Sequence, residues 1–220
     1  VVTQHRLTLI LGSPQDPQGI VVIKEADPDY KLPADTAKIC TFKVAEESQG
    51  NKSWGELLLK ETIKELRAIP ASCTFLEIDA DKISFMVNWL ESFGFYSLHG
   101  AQAANGDTVM VKDLRPTRPA PNLEPWDYHK RYGPRAVCLN TGRAFLVPIQ
   151  PQWHARLFPD PNTPTLSEEI FAERCGNTIK KIYICKSPIK NLRPGDLLIF
   201  VESETGGQVR NLGVVEDTLR

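Results

Sequence analysis

The sequence predicts an α/β chain: a mixed central sheet with flanking helices over residues 1–116, then a smaller β-rich unit over 135–220. Three observations lead there. Residues 41–66 pass from β-prone Thr41, Phe42 and Val44 through a polar turn into a helical repeat. Strand-like runs lie on both sides of that helix, so the two periodicities alternate along the chain. Residues 115–122 carry three prolines, Pro116, Pro119 and Pro121, the composition of a semi-rigid extended linker, and beyond them the patterning changes.

Each element has its own reason. Residues 6–11 and 19–24 are apolar-rich runs joined by a proline-containing loop, and 39–44 is a third strand. Glu46 to Ser53 is polar and turn-forming. Ser53 with Glu56 three residues on has the spacing of a capping box, and Leu57, Leu58, Leu59, Ile63 and Leu66 give the next helix one apolar face. Residues 73–78 are again strand-like. Ile83, Met86, Val87, Leu90 and Phe93 share a face of a second helix, which Gly94 stops. Residues 96–101 and 108–114 form a hairpin turning at Asn105-Gly106-Asp107. In the second unit, 136–139 and 144–149 read as strands about Asn140-Thr141-Gly142. Residues 167–174 read as a helix capped by Ser167, and 182–185, 196–201 and 212–216 as three more strands.

The turn at 46–55 carries the first chemical signal. A helix start leaves backbone N–H groups without intrahelical partners at its positive end, which suits a phosphate or pyrophosphate. Gly55 keeps a side chain from standing between that backbone and an anion. Composition adds bounds. The chain has 26 basic and 27 acidic side chains, a net charge of −1, which does not announce a nucleic-acid partner without a local patch. Its 220 residues suffice for one large or two small cores. The 5 cysteines form no C-x-x-C pair, which favours reduced thiols and a cytoplasmic setting. The 4 histidines lack metal-ligand spacing, so no metal is expected. No signal peptide or apolar membrane-length run is visible.

Together the loop 50–55, the Leu90-Glu91-Ser92-Phe93-Gly94-Phe95 segment and the strand Val109-Met110-Val111-Lys112 resemble the GNAT acyltransferases over about residues 5–116. Gly50 and Ser53 depart from that family's pyrophosphate-loop pattern, and Gly55 matches it. The resemblance implies acetyl-CoA as cofactor. Its arm would lie on the strand carrying Phe42, Lys43 and Val44, its pyrophosphate on Gly50, Asn51, Lys52, Ser53, Trp54, Gly55 and Glu56, with Asn88 of the second helix added. Candidate bases for an acceptor amine are Glu46, Glu47 and Glu77. The family's leaving-group tyrosine falls at Leu90, which donates no proton, so Tyr96 is the candidate substitute. The family usually has helices before the strand near Leu7, so a further N-terminal region is expected ahead of Val1.

The turn Leu192-Arg193-Pro194-Gly195-Asp196 into an apolar strand, then Gly213-Val214-Val215-Glu216, is similar to PUA-like barrels of the ASCH or EVE type over about 135–220. A closed barrel would need more strand beyond Asp217. Residues 117–134 are read as linker. That resemblance implies RNA, with tRNA one candidate, bound through Lys130, Arg131, Arg135, Lys180, Lys181, Lys186, Lys190 and Arg193, with Trp153 and His154 for stacking or edge contacts. The expected function is acetyl transfer to an amine on such a substrate. Two alternatives stand: a sensor that binds acetyl-CoA without transfer, and a protein or small-amine acetyltransferase.

Overall fold

The computed structural model describes residues 6–25, 30–45, 53–79, 83–103, 105–116, 122–139, 142–159, 174–184, 189, 191–203 and 207–218. Strands β1 (Arg6–Gly12), β2 (Pro17–Glu25), β3 (Thr36–Val44), β4 (Cys73–Ile78), β5 (Tyr96–Gln102) and β6 (Thr108–Asp113) form one sheet in the order β1-β2-β3-β4-β6-β5. Helix α1 (Trp54–Ala68) connects β3 to β4, and α2 (Ile83–Ser92) connects β4 to β5. The element order predicted for the first half is the order observed.

In this sheet, among the described residues, only β3 and β4 run parallel. Their register holds for Thr36 with Cys73, Ala37 with Thr74 and Lys38 with Phe75, and ends there. On its other side β3 carries a bulge: Ile23 faces Ile39 and Val22 faces Thr41, which leaves Cys40 as the extra residue. A bulge bends its strand and sharpens the local twist. Beyond Lys38 the strand therefore continues with β2 to Val44 while β4 continues with β6 to Ile78. The sheet forks.

Alternation along the strands sorts two faces. Val21, Ile23, Leu76, Ile78 and Met110 pack on one face with Leu58, Leu59, Ile63 and Leu66 of α1 and Leu90 of α2. Cys73, Phe75, Val109 and Val111 occupy the other face, with Tyr30, Leu32 and Leu98 against them. Helix α2 ends in a Schellman turn, in which Phe95 N–H donates to Leu90 O and Gly94 N–H to Glu91 O. Gly94 has φ +81°, as predicted for the residue that stops this helix.

A third helix, α3 (Pro125–Tyr132), stands where linker was expected. Proline at its first turn is preorganised for helix, and Tyr128 stacks on Tyr132 one turn later. It packs on the first sheet through a buried cation. Lys112 of β6 is fully enclosed, and its Nζ donates to Phe93 O (2.8 Å), Arg131 O (3.1 Å) and Lys130 O (3.4 Å). The last two are carbonyls at the C-terminal end of α3, where a cation is favoured. Burial pushes the Lys112 ammonium down to about 7; Arg67 acts in the same direction and Asp113 opposes it.

The second unit is a three-stranded sheet, β7 (Ala144–Ile149), β8 (Leu197–Glu202) and β9 (Val209–Val214) in that order, with β7 parallel and β9 antiparallel to β8. Helices α4 (Pro151–Leu157) and α5 (Arg174–Asn177) lie in the β7–β8 connection. The turn into β8 is set by Asp196, which accepts from Arg143 Nε (3.0 Å) and Arg193 N–H (2.8 Å). Burial alone would raise this carboxyl; the hydrogen bonds from Arg143 and Arg193 N–H and both cations outweigh it and hold it below the usual range.

Two expected strands are not strands. Residues 136–139 form no strand, and the Ala136 carbonyl accepts from His129 Nδ1 (2.8 Å). Residues 182–184 are extended in pattern only: Ile182 and Ile184 are 75% and 91% exposed, and Tyr183 packs edge-on against Phe200. No closed barrel is present among the described residues. The expected helix 167–174 lies outside them but for Arg174.

A Cβ at Gly94 would lie 1.7 Å from the Lys130 carbonyl oxygen, in addition to the left-handed backbone. Gly94→Ala is expected to destabilise the chain by about 2 kcal/mol or more, read as a lowered urea midpoint with unchanged m. Lys112 makes a second expectation. Between pH 7 and its ordinary value of 10.5 the unfolded chain holds a proton that the folded chain has lost. Its contribution to stability therefore rises with pH in that window, with a slope of at most about 1.4 kcal/mol per unit. Urea unfolding at pH 7 and at pH 10 should show wild type gaining on Lys112→Met over that interval; equal changes in both would contradict it.

Candidate functional site at the strand fork

Helix α1 starts beside the fork. Ser53 occupies the N-cap position, as read from the sequence, but with φ 51° and no side-chain cap hydrogen bond. The expected capping box is replaced by a longer connection: the Glu56 carboxylate accepts from Ile179 N–H (2.8 Å), far along the chain. Lys60 Nζ donates to Gly176 O (3.3 Å), one turn further on. Segment 176–181 thus lies along the first turns of α1. Leu57 N–H donates to Ser53 O and closes the first turn of α1, and a helix start directs its first N–H groups outward along the axis.

Three aromatic rings wall this end. Phe42 of β3 lies 6.0 Å from Trp89 of α2, and Trp89 lies 5.2 Å from Phe93. A Cβ at Gly55 would touch Trp89 Cζ2 at 3.7 Å, an ordinary contact, so a methyl fits and a long side chain meets the indole. The edge of β3 over 39–43 that faces away from β2 has no paired strand among the described residues.

On the opposite face, at the root of the fork, Glu77 accepts from Lys38 Nζ (2.6 Å) and from Tyr30 Oη (2.7 Å). Lys38 Nζ also sits 5.3 Å above the Phe75 ring. Lys24 stands directly across from Lys38 on β2. Burial works to raise the Glu77 carboxyl, but the hydrogen bonds from Lys38 and Tyr30 and the charges of Lys38 and Lys24 prevail and hold it below its usual range.

The other predicted residues divide. Leu90 is 2% exposed in the core, as an apolar residue at that position should be. Tyr96 is engaged away from the fork. Its Oη donates to Asp113 (3.3 Å), an acid at the far end of β6, and it stands on β5, two strands from the fork. Burial and the neighbouring Asp113 push its phenol up to about 12. Tyr96 instead lines a cavity of about 340 Å³ with Glu91, Gly94, Phe95, Asp127, Lys130 and Arg131. Asn88 is exposed on α2, next to the Trp89 that walls the site. Lys43 is exposed, and Val44 is half-buried against the core. Glu46, Glu47, Gly50, Asn51, Lys52, Lys186 and Lys190 lie outside the described residues.

Several expected nucleic-acid contacts are engaged elsewhere. Arg131 Nε pairs with Asp113 Oδ2 (2.6 Å), Lys180 Nζ with Glu216 (2.7 Å), and Lys181 Nζ donates to Gly176 O (3.1 Å). His154 is engaged as well. It is buried, bonded through Nε2 to Asn211 Oδ1 (2.8 Å) and stacked near Phe158, so its ring faces protein. Lys130, Arg135 and Arg193 are exposed, and Trp153 is 49% exposed with the Arg156 guanidinium 5.4 Å from its ring centre. Sequence reasoning missed Trp89, Lys38 and Tyr30. Trp89 lies four residues before Phe93, one available signal, but it falls off the apolar stripe counted for that helix.

No family model and no curated protein matches the chain. Among solved structures, GNAT acetyltransferases are similar to about half of it. One is a GNAT-family acetyltransferase from Desulfovibrio desulfuricans, 18% identical, covering 49% of this chain and 69% of that one at a TM-score of 0.40. Another is the ribosomal-protein-S18-alanine N-acetyltransferase from Escherichia coli, 18% identical, covering 54% and 74% at 0.39. A third, from Staphylococcus aureus Mu50, is 13% identical, covering 52% and 71% at 0.41. Among the described residues no helix is long and apolar enough to cross a membrane.

Proposed function

We propose that this chain is an acyltransferase that moves an acyl group, acetyl being the simplest, from a coenzyme A thioester to an amine. The observation that carries the reading is the fork: a bulged β3 that parts from β4 after three residue pairs, next to the start of α1. Such a fork offers an unpaired strand edge to an amide-containing arm, and a helix start offers N–H groups to a pyrophosphate. The residues present fit that group. Phe42 and Trp89 would flank the arm, and Gly55 leaves the helix start open to a small contact only.

When bound, the thioester supplies an acyl carbonyl open to attack. The chain's own residues would position the acceptor and handle its proton. Glu77 is the described carboxylate nearest the root of the fork, and it is ionised under the influence of Lys38 and Tyr30. It suits holding an ammonium more than abstracting a proton from a distant one. Leu90 leaves thiolate departure to water, which slows transfer without forbidding it: a positioned acid typically contributes about 100- to 10,000-fold.

Calorimetry of the full chain with coenzyme A tests the cofactor assignment. Gly55→Ala should bind within a few fold of wild type, since its methyl makes an ordinary contact. Gly55→Glu should abolish binding by displacing Trp89 and setting a negative charge at the helix start. Equal affinity in wild type and Gly55→Glu would overturn the reading.

A nucleic-acid-linked acceptor is a second reading, favoured by one observation: the exposed Trp153 under Arg156 is a stacking platform. Trp153→Ala should weaken binding of single-stranded RNA about tenfold or more. Wild-type affinity should fall with salt at a log–log slope of about −0.7 per phosphate neutralised. Binding that ignores both the substitution and salt would remove this reading.

A further inference from the structure

The proposed reaction needs an amine on the open side of the fork, and the chain supplies one. Lys38 is the last residue of β3 paired with β4, two positions before the bulge at Cys40. Its Nζ rests on Glu77 Oε2 at 2.6 Å, over the Phe75 ring, on the face opposite α1 and α2. The Lys38 and Glu77 side chains keep 21% and 23% of their surface exposed, so the pair is reachable. A primary amine, a carboxylate to take its proton and the root of the fork are therefore within one side chain's length of each other.

We infer that Lys38 is a self-acylation site, modified once by the chain's own acyl thioester and thereby uncoupled from Glu77. This rests on the acyltransferase reading. In the step, the Lys38 ammonium gives a proton to Glu77 and its nitrogen lone pair attacks the thioester carbonyl carbon. An amide N–C bond forms, the C–S bond breaks, and the nitrogen's second proton passes through water to the departing sulfur, which leaves as the thiol; Glu77 returns the first proton to solvent. No oxidant or further reactant is required. The product amide is neutral, so the ion pair is lost and Glu77 keeps only Tyr30 and the charge of Lys24 beside it. A carboxylate released in this way is free to receive the ammonium of an incoming acceptor, which makes Lys38 an internal occupant of the acceptor position.

The experiment uses the full chain with acetyl-CoA, followed by intact mass and peptide mapping, with coenzyme A binding measured by calorimetry on the same preparation. One acetyl group per chain at Lys38 is expected. Lys38→Arg should remove that label without loss of coenzyme A binding, and Glu77→Gln should slow labelling at least tenfold. Independently of turnover, Lys38→Gln should move the Glu77 carboxyl titration upward toward the ordinary range, read by carbon-detected magnetic resonance. Coenzyme A binding with no label at Lys38, or label spread over exposed lysines equally in wild type and Glu77→Gln, overturns the inference alone. Absence of both binding and label overturns the acyltransferase reading and the inference with it. An unmoved Glu77 titration in Lys38→Gln rules out the uncoupling.

Discussion

Three residue pairs join the two antiparallel halves of the main sheet, and the arrangement of everything around them depends on that narrow seam. Strands β1 to β3 lie on one side of it and β4, β6 and β5 on the other. A parallel pairing this short is weak in backbone hydrogen bonds, and side chains reinforce it at every level. Ser72 Oγ donates to Asp35 Oδ1 (2.6 Å), Thr36 Oγ1 meets Cys73 Sγ (3.1 Å), Thr74 Oγ1 donates to Ala37 O (3.0 Å), and Lys38 closes on Glu77. Thr36, Cys73 and Thr74 are buried, where each satisfied polar group avoids a desolvation cost of about 1–3 kcal/mol. The seam is held tightly so that the strands can separate immediately above it.

The proposed chemistry follows from that division of labour. One face of the seam is apolar and covered by α1 and α2, which fixes the depth of the fork and the position of the helix start. The other face carries the polar cluster of Tyr30, Lys38 and Glu77.

Much of the first half was legible in the sequence because it is governed by short-range rules. The strand 73–78, the start of α1 at Trp54, the stop at Gly94 and the hairpin at Asn105-Gly106-Asp107 each rest on periodicity or on a turn residue. What was not legible depends on partners distant in the chain. The bulge at Cys40 is a matter of register with β2, which no local pattern announces. Glu56 reads as a capping residue until Ile179 is brought to it. Tyr96 and His154 have the right chemistry for a site, but Asp113 and Asn211 decide where they point. In the second unit 182–185 reads as a strand, yet Ile182 and Ile184 face solvent. The proline-rich composition at 115–122 reads as a linker and does not announce that α3, beyond it, packs against the first sheet.

That last point redraws the unit of the molecule. The carbonyls that solvate the Lys112 ammonium come from Lys130 and Arg131, and Gly94 is bare because the Lys130 carbonyl rests against it. The covalent order and the cooperative order of the chain therefore differ: the segment through Tyr132 belongs to the sheet that precedes the prolines. A protease cutting between Pro116 and Pro121 would sever the polypeptide without releasing its fragments, which would stay together through a buried lysine. Recombination of this domain into another chain would have to carry residues through Tyr132, or leave a cation stranded in its core.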